Sequence, residues 1–150
     1  MTSKTVALLT ASETEALGAA IARALEPGDV VCLWGELGAG KTTLARGLIR
    51  ALMGPEEEAP SPTFTLVQTY ETPDFPVAHL DLYRLSGPQD VRELGLEEVL
   101  EEGAAVIEWP GRLGAELPRD RLDITLAIEA DGRVARLERH GLWRDRKLEF

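Results

Sequence analysis

Apolar and polar positions change their period several times along the chain, and each change marks an element. Thr5-Val6-Ala7-Leu8-Leu9 is a short apolar run that reads as a first strand. Ser12, with Glu15 three residues on, then offers a capping box. Ala16, Leu17, Ala20, Ile21, Ala24 and Leu25 follow at helical spacing until Pro27-Gly28 stops them. Val30-Val31-Cys32-Leu33-Trp34 is a β-branched run with no polar break, the mark of a buried strand. From Thr42 to about Met53 the period is helical again, and Gly54-Pro55 ends it. Phe64 to Tyr70 and Val77 to Tyr83 read as strands, with Pro73-Asp74-Phe75-Pro76 turning between them. Pro88 to Leu94 and Leu96 to Glu102 read as two short helices split by Gly95. Ala104 to Ile107 is another buried strand, and Gly111 to Asp120 a loop. Leu122 to Ile128 and Val134 to Leu137 alternate around Asp131-Gly132, a hairpin signal.

Strands that alternate with helices, closed by a hairpin, predict an α/β fold of three layers. The central sheet should be mixed and mostly parallel, with the C-terminal β-hairpin at its end. At 150 residues, with 44% apolar and 28% charged positions, the chain is expected to form one domain spanning 1–150. No apolar run approaches a membrane span, no leader pattern appears, and the single Cys32 lies inside a strand. These features predict a cytoplasmic protein. Asn is absent and Gln occurs only at 68 and 89, a depletion that suggests a thermophile source.

The net charge of −10 argues against a broad nucleic-acid-binding face, because phosphate contacts need Lys and Arg. If RNA is involved, a partner should make the contact. The acidic clusters at Glu56-Glu57-Glu58 and at Glu97-Glu98 with Glu101-Glu102 are read as solvated surface.

The chemistry is concentrated in Gly35-Glu36-Leu37-Gly38-Ala39-Gly40-Lys41-Thr42. This is G-x-x-x-x-G-K-[ST], a P-loop, set between a predicted strand and a predicted helix. The arrangement aims backbone N–H groups and a helix N-terminus at a phosphate. It predicts a P-loop NTPase fold, with Lys41 on the β- and γ-phosphates and the Thr42 hydroxyl on Mg²⁺. Such a site needs a carboxylate near the metal, usually at a strand end. Glu108 ends the run Ala104 to Ile107 and is the first candidate, as Mg²⁺ ligand or water-positioning group. Period two places His79, Asp81 and Tyr83 of His79-Leu80-Asp81-Leu82-Tyr83-Arg84 on one strand face. Asp81 is the second acid candidate. His79 either holds Asp81, senses the γ-phosphate, or is an interior histidine with a satisfied hydrogen bond. Tyr83 and Arg84 are read as structural. Ser61-Pro62-Thr63-Phe64 occupies the place of a switch segment that feels the γ-phosphate, with Thr63 offering a hydroxyl or carbonyl; an ordinary turn fits as well.

These pieces, in this order, resemble the bacterial TsaE family, also called YjeE. The resemblance rests on the P-loop with Thr43, on Ser61-Pro62-Thr63-Phe64-Thr65-Leu66-Val67, on His79-Leu80-Asp81-Leu82-Tyr83-Arg84-Leu85 and on Ile107-Glu108-Trp109-Pro110. It implies a small ATPase required for the threonylcarbamoyladenosine (t6A) modification of tRNA. Such an ATPase acts with the TsaD–TsaB pair, while TsaC makes the transferred group. It implies ATP and Mg²⁺ as cofactors, with Thr42 and Glu108 holding the metal. Leu37, Gly38, Ala39, Gly40, Lys41, Thr42 and Thr43 would cradle the phosphates, and the stretch near Thr10 to Ser12, with Thr10 and Ala11 as the named contacts, would approach the adenine. Gly132-Arg133 matches a Gly-Arg of the family, so Arg133 is carried as a nucleotide contact. The tail from His140 onward varies in that family and receives no role. The expected catalytic set is Lys41, Asp81 and Glu108.

Two other readings use the same loop. A P-loop small-molecule kinase would need an arginine-rich lid, for which Arg112, Arg119 and Arg121 are the candidates. A nucleotide-gated binding module would turn over little ATP without partners. A GTPase is disfavoured because its N-K-x-D motif cannot be built without Asn.

Overall fold

The structure is a computed structural model and describes residues 3–149, with the backbone alone for Pro88. In chain order the elements are β1 (Ser3–Leu8), α1 (Ala11–Ala22), β2 (Val30–Trp34), α2 (Lys41–Met53), β3 (Val67–Glu71), β4 (Pro76–Asp81), α3 (Pro88–Arg92), α4 (Leu96–Glu102), β5 (Ala104–Glu108), β6 (Arg121–Glu129) and β7 (Gly132–His140). Two 3₁₀ segments, Pro110–Glu116 and Gly141–Asp145, follow β5 and β7.

The seven strands form one sheet in the order β1-β7-β6-β2-β5-β4-β3. The pairs β6·β2, β2·β5 and β5·β4 are parallel, and the pairs toward both edges are antiparallel. Five strands therefore point one way, with β3 and β7 running against them, so the sheet is mixed and mostly parallel as its pattern predicts. The parallel centre explains the unbroken apolar runs of β2 and β5, which are buried on both faces. Val31, Leu33 and Val106 face α1 and α2, where Leu17, Ile21, Leu44 and Leu48 complete one core. Val30, Cys32, Ala105 and Ile107 face the other way and meet Val91 and Leu113. β6 is buried on consecutive positions from Leu122 to Ile124, beside β2, and alternates only from Ile124 to Ala127, where one face is left uncovered.

Helices α1 and α2 touch backbone to backbone. A Cβ on Gly18 would stand 2.2 Å from the Leu44 carbonyl oxygen, and one on Gly47 would stand 2.2 Å from that of Glu15. No larger residue fits either position without the helices separating.

Several boundaries differ from the sequence reading. Helix α1 is capped by Thr10, not Ser12: the Thr10 hydroxyl accepts from the Glu13 N–H, and the Glu13 carboxylate accepts from the Thr10 N–H. The Ser/Thr-x-x-Glu pattern occurs in both frames, and the earlier frame leaves Glu15 free to pair with Arg50 of α2 at 3.2 Å. β3 starts at Val67 rather than Phe64, because Leu66 takes a left-handed φ of 69° and its N–H closes a turn on the Pro62 carbonyl. β4 ends at Asp81, so Tyr83 leaves the face shared by His79 and Asp81. The predicted loop after β5 begins with the 3₁₀ segment, and the hairpin turn is Ala130-Asp131, with Glu129 paired to Gly132.

The chain after β7 is docked. Trp143 is fully buried, and the Arg146 guanidinium reaches Asp29, the Ala24 carbonyl and, at 3.0 Å, Glu26.

Candidate phosphate-binding site

β2 delivers the chain to the P-loop at Trp34, and α2 leaves it at Lys41. Gly40 caps α2 at φ 108°, a conformation that an L side chain rarely adopts, and no side chain caps the helix. The first-turn N–H groups of α2 thus lack intrahelical acceptors and carry the positive end of the helix dipole. A Cβ on Gly38 would meet nothing within 4 Å, so the loop has an open face for an anion.

That face belongs to a cavity of about 320 Å³. Leu37, Gly38, Gly40, Lys41, Thr42 and Thr43 form one wall, and Ser61, Thr63, Asp81, Glu108 and Trp109 form the other. A neighbouring cavity of about 210 Å³ shares Gly38, Gly40 and Thr43 and is closed by Thr10, Ala11, Thr14, Gly132 and Arg133 together with Leu8 and Leu9. The Arg133 guanidinium donates to the Gly38 carbonyl at 3.2 Å, which ties the hairpin to the P-loop. All the residues expected to bind nucleotide or metal or to act in catalysis line these two cavities except Ala39, and the fully buried His79 lines neither. The Ala39 side chain is fully buried and its N–H is bonded to the Glu36 carbonyl at 3.1 Å.

The parallel register of β4 and β5 sets Asp81 opposite Glu108 at the carboxyl ends of the strands. Both acids are buried, but their partners differ. The Thr42 hydroxyl lies 3.1 Å from each Glu108 carboxylate oxygen. Asp81 accepts from the Thr63 hydroxyl at 3.1 Å, and Thr63 contacts the Ser61 hydroxyl at 2.7 Å. His79 does not hold Asp81. Its Nε2 lies 2.6 Å from Glu108 Oε2, because the imidazole reaches along the sheet to the neighbouring strand end.

The Lys41 ammonium donates to the Gly35 carbonyl and stands over the Trp109 ring. Burial holds its pKa below the ordinary 10.5, while the nearby Glu108 and Asp81 carboxylates oppose that shift. Trp109 carried no assigned role in the sequence reading, and Thr14 and Ser61 were also not among the named site residues. The signals for Trp109 in the sequence are its position directly after Glu108 and its place in the Ile107-Glu108-Trp109-Pro110 block that carries the family resemblance. Arg112, Arg119 and Arg121 do not gather into a lid. Arg112 donates to the Tyr83 carbonyl, Arg121 pairs with Asp123, and Arg119 lines a separate pocket with His140 and Arg144.

The donor set fits a magnesium–nucleotide pair. Mg²⁺ keeps several waters and takes one or two protein ligands plus phosphate oxygens, so it needs no cage of side chains. Among the described residues no cluster of three or more His, Cys, Asp or Glu could bind a metal by itself. Among them, too, no helix is long and apolar enough to cross a membrane.

Both the sequence and the fold match known proteins. The family model described as threonylcarbamoyl adenosine biosynthesis protein TsaE matches residues 8–137. The chain is 41% identical over 119 residues to the tRNA threonylcarbamoyladenosine biosynthesis protein TsaE of Rickettsia bellii, covering 79% of this chain and 83% of that one. To the protein of the same name from Bacillus subtilis it is 37% identical over 120 residues, covering 79% and 74%. The crystal structure of Bacillus subtilis YdiB superposes with a TM-score of 0.80 at 29% identity, over 95% of this chain and 89% of that one. A P-loop facing a Glu–Trp strand end, in a chain matched from Leu8 to Leu137, places this protein in the TsaE family.

Proposed function

We propose that this chain is a magnesium-dependent ATPase that serves t6A modification of tRNA through protein partners of the TsaD and TsaB kind. The carrying observation is the convergence of Lys41, Thr42 and Glu108 at the uncapped start of α2. Magnesium-ATP, when bound, supplies the reactive phosphoanhydride. First-turn N–H groups of α2 and the glycine loop hold the phosphates, and Lys41 neutralises their charge. The Thr42 oxygen has lone pairs for the metal while its proton is directed to Glu108, so one hydroxyl serves both. Asp81, already bonded to Thr63, is placed to orient water on the other side of the cavity. Thr10, Ala11 and Arg133 border the extension of the groove where the nucleoside belongs.

The acidic surface favours reaching tRNA only indirectly, through partners. Nucleotide would order the segment around Ser61 and Thr63 and so favour assembly, and hydrolysis would reset it. The test is calorimetric titration with magnesium-ATP, followed by ADP release with and without the transferase pair. Lys41→Ala and Thr42→Ala should abolish turnover under both conditions. Wild-type rates in these variants with partners present would overturn the reading.

A further inference from the structure

His79 is fully buried on β4 but has a partner for only one of its nitrogens. Nε2 lies 2.6 Å from Glu108 Oε2, while Nδ1 is buried with no hydrogen bond. Against an ionised carboxylate, which only accepts, Nε2 must carry a proton, and whatever the state of the ring Nδ1 is left without a partner. Burying an unpaired polar nitrogen costs free energy, and an apolar side chain of similar shape would avoid that cost. The imidazole is therefore explained by what it does to Glu108 better than by packing.

We propose that His79 is a positioning residue for the cation. Its donation to Oε2 fixes the rotation of the Glu108 carboxylate and keeps Oε1, the oxygen that His79 leaves free, available with the Thr42 hydroxyl to a divalent ion that arrives with nucleotide. The arrangement parallels the outer partners of metal sites, which orient a ligand without touching the metal. The inference rests on the magnesium–nucleotide reading of the cavity.

The experiment titrates a non-hydrolysable ATP analogue into wild type, His79→Gln and His79→Leu, once with EDTA and once with Mg²⁺, beside turnover measurements. Metal-free affinity should be the same in all three. The strengthening that Mg²⁺ adds should fall about 10–100-fold in His79→Leu, and turnover with it. Gln still offers an N–H donor, so His79→Gln should keep most of both. In the unsubstituted protein, ¹⁵N-imidazole NMR should show His79 as the Nε2–H tautomer, with a proton resonance that moves when Mg²⁺ joins the nucleotide. A Leu variant with the full magnesium effect, a Gln variant no better than Leu, or an Nδ1–H tautomer would each overturn the role. If His79→Leu fails to fold, the Gln variant and the tautomer decide. A wild type that binds no analogue overturns the nucleotide reading itself, and this role with it.

Discussion

The Lys41 ammonium stands 3.5 Å from the centre of the Trp109 indole ring. Trp109 is held under it by left-handed backbone at φ 59° and by the Tyr83 ring 4.8 Å away. The negative face of the indole stands in for water around a cation that is only 5% exposed. The Lys41 ammonium is thus surrounded by an aromatic ring, a carbonyl and two acids that offset its burial.

That balance sets a pH dependence. Burial lowers the Lys41 pKa from 10.5, and a triphosphate binds the charged form better. Nucleotide binding should therefore take up a proton at alkaline pH, and affinity should fall as pH rises through the lowered value, before an ordinary lysine would titrate. Calorimetry in buffers of different ionisation heat checks this, and Lys41→Arg, charged throughout, should show no uptake. Stability of the free protein follows the opposite sign. The penalty for the buried charge is full below the folded-state pKa and is shed as pH rises from there toward 10.5.

The helix contact at Gly18 and Gly47 should tolerate no side chain. Gly47→Ala puts a methyl into the Glu15 carbonyl and should cost about 1–3 kcal/mol in urea denaturation. Gly87→Ala, with open space around it and extended backbone, should change stability by less than about 0.5 kcal/mol.

Thr63→Val removes the hydroxyl that links Ser61 to Asp81. Turnover should fall by about 10-fold or more if Asp81 orients the attacking water, with ATP affinity little changed. Steady-state kinetics beside equilibrium binding separates the two effects. Equal losses in both would place Thr63 in simple nucleotide binding instead.

Arg146→Met should destabilise the protein by about 1–3 kcal/mol, because it strips the buried Asp29 carboxylate of its guanidinium. Glu26 also meets Arg146, but it is 64% exposed, so Glu26→Gln should cost less than about 1 kcal/mol. Urea midpoints of the two variants give the comparison.

Much of the site was legible because its constraints are local. The P-loop demands glycines at set offsets between a strand and a helix, and β5 announces its end with Glu108. Alternation in β4 placed His79 and Asp81 on one face. What stayed hidden depends on pairs distant in sequence. Whether His79 meets Asp81 or Glu108 follows from which strand lies beside β4 and in what register, and no period encodes that. The ring beneath Lys41 depends on the rare backbone of Trp109. The cap of α1 was displaced by two residues because the same four-residue signal occurs twice, and only the Glu15–Arg50 pair across the helices separates the frames. The docked tail has no motif, since Trp143 gains meaning only against the core and Arg146 only against Asp29.

The glycine seam between α1 and α2 also limits how the groove can move. Thr10 heads one helix and Lys41 starts the other, so the proposed nucleoside and phosphate ends of the groove belong to one closely packed helix pair. If the groove closes on a nucleotide, the movement belongs to the opposite jaw, the stretch from Ala59 to Leu66, whose two ends are non-glycine residues coiled left-handed at φ 44° and 69°. Amide exchange should register that asymmetry, slow along the bodies of both helices and fast in the jaw, with nucleotide slowing the jaw and the phosphate-facing amides of the glycine loop and first turn of α2.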